Sequence, residues 1–220
     1  MTAENTVVST AAERERFTVF GVEFVYLGIL GILTAFAGWI TENTFKAITD
    51  GVIDARFHTL PFISAYAFIP FALHILLGSA DNLAVFGKRL FKKSTLKSKI
   101  ASNALTYVIC CSMVFLGELG VGLLWDKAFG VMLWDYSEMP LHITKYTGVI
   151  PMFGFGTGVY LLFKFVHTPL LKFTQNKIPF NAAKIIVSTL GTLIMLDMLS
   201  LIVQIMFNHE AVMLWRIVLR

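Results

Sequence analysis

The chain has 220 residues, 56% of them hydrophobic and only 15% charged, with 20 Phe, a mean hydropathy of +0.73 and a formal net charge of +4. A water-soluble domain carries about 25% charged residues, so the composition excludes an ordinary soluble fold and points to an integral membrane protein. The excess of positive charge is no nucleic-acid signal, because the basic residues are sorted among particular connecting segments.

Residues 1–16 form a short polar tail without the basic start and cleavage site of a signal peptide. A helical span needs roughly 20 apolar residues. Five segments qualify: Phe17–Ile40, Leu60–Gly78, Asn103–Trp125, Thr147–Val166 and Ile185–Phe207. They predict an all-α membrane bundle, one domain over residues 17–207, and the segment 208–220 reads as a short interfacial helix. Span one carries Glu23 near its start and closes with Gly38-Trp39-Ile40-Thr41-Glu42. The loop after it holds Lys46, Asp50, Asp54 and Arg56. Span two opens near Pro61, a natural helix-start residue, and Pro70 predicts a kink within it, with His74 one turn later. Phe86–Phe91, with the basic residues that follow to Lys99, reads as a helix lying on anionic lipid.

Span three holds Cys110 and Cys111. Helical neighbours point apart, which argues against a disulfide between them and marks them as small packing residues. The same span carries Glu118 among Gly117, Gly120 and Gly122. Next comes Trp134-Asp135-Tyr136-Ser137, then Pro140. Trp and Tyr favour the membrane–water boundary, where an apolar ring meets a polar edge. Asp135 and Ser137 do not, so something specific must hold them there. In span four, Gly154 and Gly158 have the spacing that lets two helices approach. Asp197 lies near the middle of span five.

The positive-inside rule places Lys88–Lys99 and Lys172–Lys184 in the cytoplasm. It gives a cell (inner) membrane protein with a cytoplasmic N-terminus, Asp126–Lys145 outside and the C-terminus outside. Gly38 with Glu42, and Gly117 with Glu118, each precede a charged loop, a proline and a basic exit, a pattern of two parallel repeats.

An ionisable group at the bilayer centre costs about 2.5–3.5 kcal/mol on insertion scales. Glu118 and Asp135 are therefore expected to be paired, with Arg56 as partner or, for Glu118, the aromatic cassette. For Asp197, function, subunit contact and burial as a protonated acid stand side by side. His74 and His167 lie toward the cytoplasmic ends of their spans, and His58 and His142 lie outside. Two such histidines on different helices can ligate haem or a metal. Without HxxxH or CxxCH spacing, however, no cofactor or metal is expected. HExxH, GxSxG, GxGxxG and the Walker motif are also missing, so no enzyme is expected and any ATP hydrolysis must come from another chain.

The combination Gly38-Trp39-x-x-Glu42, Arg56, Pro61, Tyr66, Glu118, Trp134-Asp135-Tyr136-Ser137 and Pro140 resembles the CmpB-like putative ABC-transporter permease family of bacteria. The Glu118 and Trp134–Ser137 elements are also similar to the eukaryotic transmembrane protein 229 group. The resemblance covers about residues 25–172 and leaves span five outside. It departs after Arg56, where the family often reads Arg-Gly-Phe and this chain has Phe57-His58. It departs again after Pro140, where His142 and Lys145-Tyr146 replace Asn and Gly-Arg. It implies a multi-span membrane protein and little about activity. The expected reading is a transport-related, permease-like membrane subunit, with Glu42, Arg56, Glu118, Trp134, Asp135, Tyr136 and Ser137 as its polar cluster. Expected partners are the lipid bilayer, membrane-protein subunits or further copies of the chain, and a separate ATPase, with no nucleic acid. The alternative is an accessory or scaffold subunit of a larger membrane complex.

Overall fold

The computed structural model describes residues 16–80, 82–91, 95–208 and 213–219. The expected tail 1–16 lies outside these residues except for Arg16. Where span one was expected to begin, the chain forms a hairpin, β1 (Thr18–Val19) and β2 (Val22–Glu23). Its turn is Phe20-Gly21, with φ of +46° and +84°. Positive φ at both central residues gives a turn whose twist matches the paired strands. Val-Phe-Gly recurs at residues 85–87, and so does the hairpin. Between β5 (Asn82–Val85) and β6 (Lys88–Arg89), Phe86 and Gly87 take φ of +49° and +75°. Phe86–Phe91 is therefore strand and turn, not a helix on lipid. The Phe20 ring rests on Gly87, where a Cβ would come within 2.8 Å of it. β4 (Gly78–Ser79) pairs with the other edge of β5.

Helix α1 (Phe24–Thr49) ends at Asp50, and Gly51 at φ +64° turns the chain out of it. The second apolar segment splits into α2 (Ser64–Ala67) and α3 (Ile69–Leu77). Pro70 does not kink a continuous helix. It sits in the first turn of α3, where its missing N–H is no loss. The Tyr66 carbonyl, which Pro70 cannot serve, accepts instead from Thr34 Oγ1 at 3.1 Å.

Helix α4 (Leu96–Phe129) starts with a reciprocal Thr95–Ser98 capping box and stops at Gly130, φ +68°. After β7 (His142–Thr144) and β8 (Thr147–Gly148) come α5 (Val149–Leu161), a π-helical stretch Leu162–His167, and α6 (Thr168–Lys177). Helix α7 (Phe180–Asn208) and a strand β9 (Arg216–Val218) complete the order.

The protein is thus a mostly helical membrane bundle. Four helical stretches among the described residues are long and apolar enough to cross a membrane: Phe24–Ile48, Leu96–Phe129, Val149–Lys177 and Phe180–Phe207. The expected second span is the exception. Ser64–Leu77 rises roughly 20 Å at about 1.5 Å per residue, short of a hydrocarbon core of about 30 Å. The loop before it descends into the bundle, with Ile63 N–H donating to the Ala35 carbonyl at 3.1 Å. From there α2 and α3 run antiparallel to α1. Gly31 faces Ala67 and Phe71, and the Phe24 and Phe71 rings lie 5.1 Å apart.

The C-terminal segment is a strand and not an interfacial helix. β9 pairs antiparallel with β3 (Val52–Asp54), Val52 opposite Val218 and Asp54 opposite Arg216, and Trp215 packs edge-on against Trp39. Residues 209–212 lie outside the described residues.

Burial falls in two clusters. Tyr26, Leu27, Ile29, Leu30, Leu171 and Ala183 join α1, α6 and α7, and Leu73, Leu77, Leu83, Cys110 and Phe163 join α3, β5, α4 and the π-helical turn. Between helices in lipid, close packing replaces the hydrophobic effect as the driving force. Gly156 is the tightest such contact between α4 and α5, since a Cβ there would lie 2.9 Å from the Cys111 Cα. Gly154 and Gly158, the expected packing pair, meet no described atom within 4 Å. Cys110 and Cys111 are free and buried, as packing residues should be.

Candidate functional site

At the end of the bundle away from the two Phe-Gly hairpins, α1 presents Glu42, Asn43 and Lys46 to the descending loop. Asp54, 1% exposed, is held on every side. Its N–H donates to Asn43 Oδ1 at 2.8 Å, Lys46 Nζ donates to its Oδ2 at 3.2 Å, and Arg56 N–H donates to its Oδ1 at 2.9 Å. The chain then makes a strained turn, Arg56 and Phe57 taking φ of +53° and +65°. Side chains rarely adopt this region. Surrounding hydrogen bonds enforce it: Ala55 N–H to Trp215 O (3.1 Å), His58 N–H to Ala55 O (3.0 Å) and Thr59 N–H to Asp197 Oδ1 (2.7 Å).

The turn aims Arg56 back at α1. Nη2 donates to Glu42 Oε2 at 2.7 Å and Nη1 lies 3.9 Å from Asp54 Oδ1, while the buried Nε has no partner among the described residues. Tyr66 OH donates to Glu42 Oε1 at 2.8 Å. Its ring can lie flat on α1 only because residue 38 is glycine, where a Cβ would come within 2.6 Å of the ring.

Helix α4 repeats this arrangement. Tyr146 lies on Gly122, its OH donates to Asp126, and Lys145 Nζ donates to Asp126 Oδ2 at 3.0 Å. A glycine, a carboxylate one turn on, a cation and a tyrosine thus recur on α1 and α4. The equivalent of Gly38 and Glu42 is Gly122 and Asp126, not Gly117 and Glu118. These bonds hold the Lys145 ammonium above its usual range, chiefly through Asp126.

Glu118 pairs with the aromatic cassette. Oε1 accepts from Tyr136 OH at 3.2 Å and Oε2 from Thr147 Oγ1 at 2.7 Å, with Thr147 fully buried. Arg56 bonds neither Glu118 nor Asp135, because Glu42 on α1 and Asp54 in the loop take its guanidinium instead. Burial and then the Glu118 carboxylate push the Tyr136 phenol up, and Glu42 adds a smaller push. The Glu42–Arg56–Tyr66 and Glu118–Tyr136–Thr147 groups therefore adjoin. Trp134 Nε1 donates to the Tyr146 carbonyl at 2.7 Å. Asp135 is exposed and accepts the Ser137 N–H at 2.8 Å, and the Ser137 hydroxyl and then that N–H hold its carboxyl below the usual range. A local turn, and not a distant cation, keeps Asp135 and Ser137 at the boundary.

Asp197, on α7 and 7% exposed, has partners that its own neighbourhood in sequence does not reveal. Oδ2 lies 2.8 Å from Nδ1 of His58, which is also buried, and Oδ1 accepts the Thr59 N–H. His142 is exposed and near the Met139 carbonyl, away from this pair. His74 and His167 do meet, with ring centroids 6.3 Å apart. No group of three or more His, Cys, Asp or Glu among the described residues is placed to hold a metal ion.

The family model described as "Putative ABC-transporter type IV" matches residues 29–202, and the chain belongs to that family. The match runs well past residue 172, so most of α7, with Asp197, lies within the family region and not beyond it. No curated protein and no solved structure matches the chain.

Proposed function

We propose that this chain is a transport-related membrane subunit that works with partner subunits, ATP hydrolysis being supplied by a separate ATPase. The observation that carries the reading is Arg56. Its guanidinium is half-buried between Glu42 and Asp54, close to Tyr66, and its buried Nε has no partner among the described residues. Buried polar groups are normally satisfied, so this N–H is where a passing solute with an acceptor oxygen would bind. Tyr66 and Tyr136 flank the same region and supply hydroxyl groups.

A scaffold role is the second reading. Gly117 and Gly120 on α4, and Gly154 and Gly158 on α5, meet no described atom within 4 Å. Such faces suit a partner helix.

The test is purification from native membranes in mild detergent with whatever partners remain bound. An associated ATPase, with ATP turnover that falls in Arg56→Gln while the assembly stays intact, is the expected result. A stable assembly without any ATPase would overturn the transport reading and favour the scaffold.

A further inference from the structure

Where α4, the β4–β5 hairpin and the π-helical stretch meet, they leave a shallow notch whose polar lining is Ser79, Ser102, Asn103, Thr106, Tyr160 and Lys164. Lys164, half-buried, is fixed there by neutral groups. Its Nζ donates to Tyr160 OH at 2.9 Å and to Asn103 Oδ1 at 3.3 Å, and lies over the Tyr160 and Phe165 rings. These contacts orient the ammonium without cancelling its charge. An ammonium has three N–H donors, so one is left over. No carboxylate lies within ion-pairing distance of Lys164 among the described residues, whereas Lys46, Arg56 and Lys145, at the other end of the bundle, each have one. The Ser79 and Ser102 hydroxyls and the Asn103 side-chain N–H groups make no hydrogen bond among the described residues, and they line the same notch.

The depth of the notch follows from helix length. Helix α4, with 34 residues, is about 50 Å long. A hydrocarbon core of about 30 Å centred on it starts about 10 Å in from Leu96, close to Asn103. Its other limit falls just before Trp125, a residue suited to the boundary. The notch therefore lies where headgroups meet hydrocarbon, at the end of the bundle that the charge rule assigns to the cytoplasm. Lys99, exposed and one turn before Asn103 on the same face of α4, adds a second cation on the headgroup side.

We infer that this notch binds the phosphate group of an anionic phospholipid of the cytoplasmic leaflet. Lys164 supplies the charge, in a charge-assisted bond to a phosphate oxygen, and Ser79, Ser102 and Asn103 supply neutral donors. The exposed Phe165 ring gives the acyl chains an apolar wall. The notch has room for about one water-sized group. That admits a phosphate oxygen but does not enclose a soluble phosphorylated solute. A lipid needs no enclosure, because its acyl chains already hold it at this depth. Basic pockets between spans on the cytoplasmic side take such headgroups.

The test delipidates the purified full chain in mild detergent and titrates it with phosphatidylglycerol, phosphatidylcholine or inorganic phosphate, read by native mass spectrometry. One retained phosphatidylglycerol per chain is expected, bound about 10-fold better than phosphatidylcholine, whose own cation neutralises the phosphate. Lys164→Gln should lower phosphatidylglycerol affinity by about 10-fold. Lys127→Gln, at the opposite end, should bind as wild type. Asp81 follows Ala80 in sequence and lies outside the described residues; Asp81→Asn should bind at least as well as wild type. If Lys164→Gln does not fold, phosphatidylglycerol with a photoreactive headgroup decides on the wild-type chain: crosslinks should fall within residues 102–106 or 160–164. No preference over phosphatidylcholine, displacement by inorganic phosphate, crosslinks elsewhere, or undiminished binding by folded Lys164→Gln would overturn the site.

Discussion

Phe57 at φ +65° is the residue where local preference and final structure conflict most directly. The left-handed region costs a side-chain-bearing residue about 1–2 kcal/mol. Glycine would adopt this conformation without strain, and the fold shows what imposes it on Phe57: this position sits in a turn pinned by Asp54, Trp215 and Asp197. Replacing Phe57 also removes a half-buried ring, so the informative comparison is between two small residues. Phe57→Gly should melt above Phe57→Ala by the equivalent of about 1 kcal/mol, measured by thermal unfolding in detergent. Equal melting temperatures would mean that the turn carries no strain. Asp197 and His58 belong to the same scale. Asp197→Asn keeps an acceptor for His58 and should be mild. Asp197→Leu strands the buried His58 ring and takes the acceptor from the Thr59 N–H, and should cost roughly 3–5 kcal/mol. A His58→Leu/Asp197→Leu double variant should recover at least about 1 kcal/mol of the summed loss. Strict additivity in that cycle would show the contact to be incidental.

At the level of elements, the helices were legible from apolar length, but their contact faces were not. Gly38, Gly117 and Gly122 look alike in sequence. Only the fold shows that Gly38 and Gly122 carry tyrosine rings while Gly117 faces nothing described. The carboxylates one turn beyond the occupied glycines, Glu42 and Asp126, are the ones the tyrosines reach. Pairing Glu118 with the cassette was readable from depth alone, since both lie near one end of α4. The partner of Asp197 was not readable, because the loop bearing His58 descends through a gap that hydropathy cannot register. Both Val-Phe-Gly turns were visible as words but hidden by the apolar residues around them. The glycine argument is testable. Gly38→Ala forces a methyl within 2.6 Å of the Tyr66 ring and should cost about 1–3 kcal/mol by overpacking. Gly117→Ala should be neutral or slightly stabilising, through better helix propensity. If the two alanine variants melt together, the tyrosine-on-glycine contact is not what fixes α2 against α1.

For the whole molecule, the open question is which side each end faces. Four long helices alone would return the chain to its starting side. Yet β9 pairs with β3 at the far end of α1, while the first hairpin lies at the near end of the same helix. The two ends of the chain can differ in side only if Ser64–Leu77 completes a crossing with help from the loop that descends ahead of it. An extended loop gains about 3.3 Å per residue, so the few residues up to Ile63 make up the missing depth. The basic strand β6 and Lys172, Lys177 and Lys184 share the hairpin end, which the charge rule assigns to the cytoplasm. Single cysteines at Lys97, Ser137 and Leu214 test this in intact cells with a membrane-impermeant maleimide. Cys110 and Cys111 are buried and should give little background. Ser137→Cys and Leu214→Cys should label at once, and Lys97→Cys only after permeabilisation. The opposite pattern would reverse the orientation. Labelling of Leu214→Cys and Lys97→Cys from the same side would be more damaging: the short second segment would then not cross, and the strand pairing that ties the C-terminal segment to the first loop could not form in the membrane.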